Sequence, residues 1–377
     1  MFLGQGILLQ QLWSRPGTQE TPPLTPDTLE ARTTQLRQSL AVAQRDRGRV
    51  GSSDPEPRAS KRRRTSQSHQ SGGSEGPIDL SSEDFQIPCD LEDSLVEIYF
   101  ARIHPWIPIL HVTRFRPALR IPSERARLKI VLRAIVSVCT RFSNDPRLGD
   151  DAVRLKLIKA CRGAVILGSV ESLSVENLQA LAICAFDTIG SGRGPSTWSI
   201  VGSMARAIEY LQLSVEEADS QRPSRQSQVL IERVTFLPPS QSWVEEEGRR
   251  RLFWNVFLMD RLCSVATGWN VSLKSREVKR RLPCEGRIWE HGESPMNKTP
   301  YLGVSDQYSE LDGATVGASP GQENTELLGG FAYCIEATES LSLVTSFFLH
   351  QSVDVTSPHE IQHWLLRFKK LDLRLVQ

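Results

Sequence analysis

Apolar residues recur at three- and four-residue steps along residues 87–377, and this spacing constrains the fold more than any other feature of the sequence. The broadest apolar stripe runs from Leu128 to Phe142. Comparable stripes lie at residues 153–167, 178–185, 198–211 and 252–263. Such steps place apolar side chains on one face of an α-helix, and no long alternating run indicates a sheet, so we predict an all-α domain. Stretches rich in Ser, Pro and Gly predict long loops near 220–243 and 284–325.

The sequence up to residue 86 has a different composition, with many Ser, Pro, Gln, Gly and Arg residues and few aromatic ones. Such a segment buries too little apolar surface to offset its chain entropy, so we predict disorder for residues 1–26 and for a linker at 48–86. The helical domain is predicted to span residues 87–377. Over all 377 residues, 45 Lys and Arg balance 44 Asp and Glu, and the formal net charge of +1 excludes a histone-like polycation.

Residues 27–47 carry Leu29, Leu36 and Ala43 at seven-residue spacing, with Leu40 alongside. A heptad repeat of this kind predicts a short coiled coil that joins two chains, as a homodimer or a heterodimer. The repeat is shorter than the roughly three to four heptads that usually define a coiled coil. A solvated helix without a partner therefore explains the pattern equally well.

Four consecutive cations, Lys61, Arg62, Arg63 and Arg64, lie inside the Ser-rich linker. A flexible basic run suits the acidic groove of a nuclear import receptor, or phosphate. We therefore predict that the protein is located in the nucleus. The alternative is a solvated charge run that no receptor binds.

The seven cysteines are widely spaced, and the closest two, Cys263 and Cys284, are 21 residues apart. This spacing excludes a zinc finger, a zinc ribbon and a thioredoxin motif, which all need two cysteines within a few residues. An odd number of distant cysteines predicts reduced, mostly buried thiols in an intracellular protein. The longest apolar runs are shorter than the roughly 18 residues of a membrane-spanning helix, so we expect no membrane partner.

His359, Glu360 and His363 form an H-E-x-x-H sequence, in which two histidines on one helix face bind zinc and the glutamate acts as a base. A metallohydrolase is therefore the alternative from another functional class. However, Ser357 and Pro358 make Glu360 part of a capping box at a helix start. The histidines also fall opposite the apolar face of this helix, and the 14 residues that follow contain no His or Glu. We therefore predict that the motif is structural and that the chain is not an enzyme.

Two other motifs are also predicted to be structural. Residues 190–195 are rich in glycine, but they follow a helix pattern and lack the Lys-Ser/Thr of a phosphate loop. They predict a turn with a left-handed glycine after a helix. Asp260 and Arg261 end an apolar helix, and they predict a structural ion pair rather than a catalytic acid and base.

Short blocks of sequence occur in a fixed order between residues 87 and 290. They are 91–111, with the sequence IHPWIPILH; 175–181, with VENLQAL; 192–207; 246–261, with EEGRRRLFW before MDR; and 267–283. In this order the blocks resemble the fungal-specific transcription factor domain. That domain is the large helical middle region of fungal zinc binuclear cluster regulators.

The resemblance implies structural signature residues at His104, Pro105, Trp106, Trp198, Arg250, Arg251, Phe253, Trp254, Asp260, Arg261 and Gly268. It also implies a nuclear transcriptional regulator whose helical region is a regulatory and interaction scaffold, with a small-molecule effector among its partners. Control of a metabolic or secondary-metabolite gene cluster is the setting that it implies.

The chain departs from the family pattern in its cysteines. Family members bind two zinc ions through six cysteines near the N-terminus, and no cysteine here maps to that module, so we expect no cofactor in this chain. The resemblance then implies DNA contact through a zinc module outside this sequence or through a partner factor. The alternative is a regulator without a zinc cluster that forms heterodimers with intact factors through residues 27–47. We also expect the domain to be incomplete at its C-terminus, since family members usually continue further.

Overall fold

The computed structural model describes residues 86–192, 194–217, 237–303, 325–350, 354 and 356–376. Within these ranges the chain forms α-helices and short 3-10 helices, and it contains three isolated β-bridges but no strand. The prediction of an all-α domain is therefore confirmed. The residues described belong to a compact unit that spans 78–377.

Eleven α-helices follow one another in the described residues. They are α1 (Cys89–Arg102), α2 (Val112–Ala118), α3 (Pro122–Arg127), α4 (Lys129–Cys139), α5 (Asp151–Glu171), α6 (Val175–Gly190), α7 (Gly194–Tyr210), α8 (Trp243–Thr267), α9 (Gly286–His291), α10 (Gly330–His350) and α11 (Pro358–Val376).

Helix α4 lies at the centre of the N-terminal part of the core and packs against α1, α5 and α6. Its Val131, Ile135 and Val138 are completely buried, as the apolar steps of the sequence predict. Leu91 and Leu95 of α1 are also completely buried. The three- and four-residue spacing of these side chains is thus the reason that the helices pack into one core.

Local side-chain chemistry fixes where α5 and α6 begin. The Asp150 carboxylate accepts a hydrogen bond from the Ala152 N–H at 2.8 Å, and the Ser174 Oγ accepts one from the Asn177 N–H at 3.1 Å. Both are N-caps, which satisfy backbone donors that the first helical turn leaves free. After α6 the chain turns at Gly192, with φ of 67°, in the left-handed conformation predicted for this turn.

Helix α5 differs from its predicted face in one respect. The predicted apolar stripe ends at Leu167, which is 62% exposed. The buried positions are instead Leu157, Cys161, Val165 and Ser169, at four-residue steps. Side chains four residues apart form a row that is inclined to the helix axis. The row of buried side chains therefore diverges along the helix from the face that carries Leu167.

The region predicted as a loop at 284–325 contains the short helix α9, so that part of the prediction is wrong. Six residues are too few for an apolar period to indicate a helix. Tertiary packing stabilises this turn of helix, because Trp289 is buried and its Nε1–H donates a hydrogen bond to the Val244 carbonyl oxygen at 3.0 Å.

Helix α8 is 25 residues long and packs against α6, α7 and α10. It starts at Ser242, whose Oγ accepts the Glu245 N–H, and ends at Gly268, with φ of 73°. It therefore connects the N-terminal helices to the C-terminal pair α10 and α11. None of the described helices combines the length and the apolar character that crossing a membrane requires.

We predict that truncation of Ile135 in α4 destabilises the domain strongly. Ile135→Ala removes buried methyl groups and leaves a cavity, so the free energy of unfolding should fall by about 2–5 kcal/mol. Leu155→Ala is the matched control on α5, because Leu155 is 50% exposed, and it should change stability by less than about 0.5 kcal/mol. Urea denaturation followed by circular dichroism measures both. Equal effects of the two variants would contradict the assignment of α4 to the core.

Candidate functional site

The charged run of α8 is buried rather than solvated. Arg249, Arg250 and Arg251 are 5%, 6% and 1% exposed, and Glu247 is completely buried. A buried charge needs a partner, because an unpaired ion in a low-dielectric interior carries a large desolvation penalty. We call the three arginines and three of their carboxylate partners, Glu216, Glu217 and Glu247, the arginine cluster.

Glu247 is the centre of the arginine cluster. Its Oε2 accepts a hydrogen bond from Arg250 Nη1, and its Oε1 accepts from Arg251 Nε at 3.1 Å. Oε1 also accepts from the Cys284 N–H at 3.0 Å, while Arg251 Nη2 donates to the Cys284 carbonyl oxygen at 2.7 Å. One carboxylate therefore joins two arginines of α8 to the backbone at residue 284.

Glu216 joins a second segment to α8. Arg250 donates to both of its carboxylate oxygens, from Nε at 3.0 Å and from Nη2 at 2.8 Å, and the Arg281 N–H donates at 2.9 Å. Burial acts to raise the pKa of Glu216, but the Arg250 and Arg280 guanidiniums outweigh it and lower the pKa to about 2. Glu216 is therefore an ionised carboxylate with bidentate pairing, the strong form of an arginine contact.

Glu217 bonds both to Ser240 and to Arg249 of α8, so it links residues 217 and 240 to the same helix. Its Oε1 accepts from Arg249 Nη1 at 2.9 Å, and its Oε2 accepts from the N–H and the Oγ–H of Ser240 at 2.9 and 2.7 Å. Arg249 Nη1 also donates to the Pro238 carbonyl oxygen at 2.8 Å. The chain therefore leaves and returns to this part of the fold beside the start of α8.

A second buried cluster lies further along α8, and we call Asp260, Arg261, Ser275 and Glu339 the aspartate–arginine cluster. Arg261 donates to Asp260 Oδ2 at 3.0 Å, to Glu339 Oε2 at 2.8 Å and to Ser275 Oγ at 3.0 Å. Its guanidinium also lies 3.6 Å from the centre of the Phe257 ring, a cation–π contact. Arg261 thus connects α8 both to α10 and to the segment that follows α8.

Asp260 fixes that segment through the backbone. It accepts hydrogen bonds from the Ser272 N–H at 2.9 Å and from the Leu273 N–H at 3.0 Å, in addition to the Arg261 contact. Its lone pairs are directed at protein donors rather than at an open cavity. Asp260 and Arg261 thus form a buried ion pair that is hydrogen-bonded to the backbone.

The aromatic signature residues of α8 belong to the core. Phe253 and Trp254 are completely buried, and the Trp254 Nε1–H donates to the Arg281 carbonyl oxygen at 2.7 Å. Gly268 has a positive φ that ends α8, and the next residue, Trp269, is 61% exposed. The Trp269 ring lies 4.9 Å, centre to centre, from the ring of Trp198 on α7.

The histidine–proline–tryptophan signature forms the turn after α1. His104 Nε2 donates to the Leu110 carbonyl oxygen at 2.7 Å, which closes the turn around Pro105. Burial lowers the pKa of His104, so the ring is neutral at physiological pH. Trp106 is 52% exposed and lies at the surface of this turn.

A long-range contact that the sequence did not indicate holds the start of α2. Glu290 of α9 accepts hydrogen bonds from the N–H groups of Val112 at 3.0 Å and Thr113 at 3.2 Å. His111 Nε2 donates to the Trp289 carbonyl oxygen at 2.9 Å. Because 177 or 178 positions separate these partners, no local sequence pattern could reveal them.

The H-E-x-x-H sequence opens helix α11. The Glu360 carboxylate accepts the Asp354 N–H at 2.9 Å, rather than the Ser357 N–H that an ideal capping box would use. His359 and His363 are exposed. Within the part of the chain that the structure describes, no group of three His, Cys, Asp or Glu side chains is placed to hold a metal ion.

The seven cysteines all lie among the described residues of the helical domain. All seven are free, and four of them are buried. Burial raises the pKa of the thiols to about 12 at Cys139, Cys161, Cys263 and Cys284, and to about 11 at Cys184. The four buried thiols pack in the core as small apolar side chains, and Cys263 is partly buried.

The remaining predicted site residues lie outside the described ranges. They are the import run Lys61, Arg62, Arg63 and Arg64, and the heptad residues Leu29, Leu36, Leu40 and Ala43. Sequence reasoning missed Glu216, Glu217 and Glu339, although all three complete the buried clusters. A pair of acidic residues directly after an apolar helix was the signal available for Glu216 and Glu217.

We predict that neutralisation of Glu247 destabilises the fold by about 3–5 kcal/mol, because two buried arginines lose a charged partner. The matched control is Glu277→Gln. Glu277 is 59% exposed and lies 3.4 Å from Lys274, so its loss should cost less than about 1 kcal/mol. Denaturant unfolding of Glu247→Gln and the control measures the difference. Similar losses in the two variants would show that the arginine cluster contributes nothing specific.

The pKa of Glu216 predicts a pH dependence of stability. The pKa is lowered from its ordinary value of 4.5 to about 2 in the folded chain, so the contribution is fully present above pH 4.5 and is lost as the pH falls towards 2. The free energy of unfolding of the wild type should therefore fall more steeply over this window than that of Glu216→Gln. Parallel pH profiles of the two proteins would contradict the pairing of Glu216 with Arg250.

Residues 96–313 match the family described as the fungal specific transcription factor domain. The citrinin biosynthesis transcriptional activator of Monascus ruber is 21% identical over 205 residues, which cover 54% of this chain and 37% of that protein. The pigment biosynthesis transcriptional activator of the same species is 24% identical over 206 residues, 52% of this chain and 34% of that protein. The azaphilone cluster-specific transcription factor of Aspergillus niger is 27% identical over 256 residues, 65% and 47% of the two chains.

The chain thus matches less than half the length of each of these relatives. No solved structure matches. The matched region contains residues 216–217 and 247–251 of the arginine cluster. It also contains Asp260 and Arg261, so the buried charges of α8 all lie inside it. The chain belongs to the fungal specific transcription factor domain family.

Proposed function

We propose that this chain is a transcriptional regulator that acts in the nucleus and controls a gene cluster for secondary-metabolite biosynthesis. The observation that carries the proposal is the family match over residues 96–313. The names of the relatives support the setting, since two are transcriptional activators of citrinin and pigment biosynthesis and the third is a transcription factor specific to an azaphilone cluster. We propose the same kind of activity, regulation of transcription in a biosynthetic gene cluster, for this chain.

The geometry supports a scaffold role for the helical domain. The buried charges of α8 are committed to partners from distant segments, which holds residues 216, 238, 284 and 339 against one helix. Buried networks whose members are satisfied rigidify a core and specify one arrangement. A rigid helical body of this kind suits a domain that transmits or restrains the activity of attached segments.

The sequence before residue 87 supports the nuclear import and pairing steps of the proposal. The cations Lys61 to Arg64 bind an import receptor, and the heptads of residues 27–47 pair the chain with a second copy or with a related factor. DNA is contacted through a zinc module outside this sequence or through the partner factor. The basic run and the heptads are the sequence features that support these steps.

Gene deletion followed by transcript sequencing tests the proposal. We expect the deletion strain to lose transcripts of a set of adjacent biosynthetic genes, and a wild-type copy to restore them. A copy with Lys61, Arg62, Arg63 and Arg64 all changed to Ala should fail to restore the transcripts, because the tagged protein should stay in the cytoplasm. Fluorescence microscopy of the tagged protein measures this localisation.

The matched control replaces Arg62, Arg63 and Arg64 by Lys, which keeps the charge of the run. This variant should enter the nucleus and restore the transcripts. Unchanged transcripts in the deletion strain would contradict the regulatory function. Nuclear accumulation of the four-alanine variant would contradict the import role of the run, whatever the transcripts do.

A further inference from the structure

Helix α5 exposes an apolar patch on the face that points away from the core. The helix packs against α4 and α6 through its buried row at four-residue steps. Four large apolar side chains near its C-terminal end are nevertheless exposed, and they are Ile166, Leu167, Val170 and Leu173. Val170 is 70% exposed. Single exposed apolar residues are ordinary on a soluble protein, whereas a contiguous apolar patch marks an interaction surface.

Four exposed residues at four-residue steps form a ridge along this face, and they are Lys159, Gly163, Leu167 and Glu171. We call them the α5 ridge. Each lies two positions after a member of the buried row, and two positions turn a helix by roughly 200°. The α5 ridge therefore points away from the core. Ridges of four-residue steps are the surfaces through which helices of globular proteins most commonly pack on one another.

Gly163 leaves an empty place in the middle of the α5 ridge. A glycine in a helix interior costs about 1 kcal/mol relative to alanine. At Gly168 the fold explains the glycine, because a Cβ there would lie 3.2 Å from Ile130 Cδ1. At Gly163 a Cβ would meet nothing within 4 Å among the described residues, apart from its own turn of helix. The packing of the domain therefore does not require glycine here, whereas the close approach of a second helix would.

The charges of the α5 ridge lie at its two ends and have opposite signs. Lys159 and Glu171 form no ion pair within the part of the chain that the structure describes. An antiparallel second copy, with a twofold axis level with residue 165, places Lys159 of each copy opposite Glu171 of the other, because 159 and 171 are equally distant from 165. For the same reason, this axis places Leu167 of each copy opposite Gly163 of the other.

We propose that the α5 ridge pairs antiparallel with the α5 ridge of a second copy of this chain. Leu167 of each copy packs into the place that Gly163 leaves on the other. Two Lys159–Glu171 ion pairs close the ends of the contact. A twofold interface uses the same patch on both copies, so the patch must be complementary to itself. The α5 ridge meets this requirement both in shape and in charge.

The apolar side chains beside the ridge leave water in this pairing. Ile166 and Val170 lie one helical turn from Gly163 and Leu167 respectively, so they flank the contact. Burial of their surface supplies the main favourable free energy, while the ion pairs at the exposed ends chiefly fix the antiparallel direction. The contact goes beyond the proposed regulatory function. It is also separate from the heptad pairing proposed for residues 27–47.

Zero-length cross-linking tests this pairing on the purified full chain. Isotopically light and heavy chains are mixed and treated with a carbodiimide, which joins an ammonium to a carboxylate that contacts it. Lys159 and Glu171 are about 18 Å apart along one helix, so this link cannot form within a chain. We expect mass spectrometry to find the Lys159–Glu171 link between light and heavy chains.

Charge reversal tests whether the ion pairs direct the association. Analytical ultracentrifugation measures the dissociation constant in a full chain that carries Leu36→Asp and Leu40→Asp, which would remove the proposed heptad pairing. Lys159→Glu should weaken the association by about tenfold, because two attractive contacts become repulsive. Lys159→Glu combined with Glu171→Lys should restore it. Lys369→Glu is the matched control, since it reverses an exposed charge on α11 and should change nothing.

Gly163→Leu separates the interface from the stability of the fold. Leucine is a better helix former than glycine and has open space at this position, so the free energy of unfolding of the monomer should not fall. The larger side chain occupies the place of Leu167 from the second copy, so the dissociation constant should rise by about tenfold or more. A glycine with a purely structural role would instead lower the stability and leave the association unchanged.

A chain that stays monomeric up to its highest soluble concentration, without the Lys159–Glu171 link, would overturn the proposal and leave this face to a different partner protein. Equal dissociation constants for the parent chain, Lys159→Glu and Gly163→Leu would also overturn it, because the association would then use another surface. Neither result affects the transcript test of the deletion strain.

Discussion

The burial of the arginines of α8 is the constraint on which the rest of the C-terminal half depends. A guanidinium that leaves water needs acceptors in fixed positions, and the net gain from a buried pair is small while the penalty of breaking one is large. Helix α8 can therefore pack against α6, α7 and α10 only if distant acceptors arrive with it. Glu216, the Cys284 backbone and Glu339 are those acceptors. The charges consequently determine which segments lie beside the helix as much as the apolar residues do.

The two clusters of α8 hold different segments of the chain in place. The arginine cluster joins the end of residues 214–217 to residues 281 and 284, whereas the aspartate–arginine cluster joins the turn at 272–275 to α10.

The sequence predicted the parts of the fold that depend on local patterns. The apolar steps of α4 and α6 and the left-handed Gly192 both follow from interactions within a few residues. Helix α9 was missed because tertiary burial of Trp289, and not its own period, stabilises it. The partners of the α8 charges were missed for a related reason: Glu216 pairs across 34 residues and Glu339 across 78. Long-range ion pairs leave no periodic signal, so the signature around Arg250 and Arg261 was recognisable while its physical role was not.

Native-state hydrogen exchange of individual backbone amides tests most directly whether the buried charges hold these segments to α8. The amides of Leu273 and Cys284 donate to Asp260 and Glu247, although both lie outside regular helix. If the clusters fix them, both amides should exchange with the opening free energy of the α8 interior, the slowest class in the domain. Glu247→Gln should then accelerate exchange at Cys284 more than at Leu273. Rapid exchange of both amides in the wild type, at the rate of exposed loops, would contradict the central role of the buried charges.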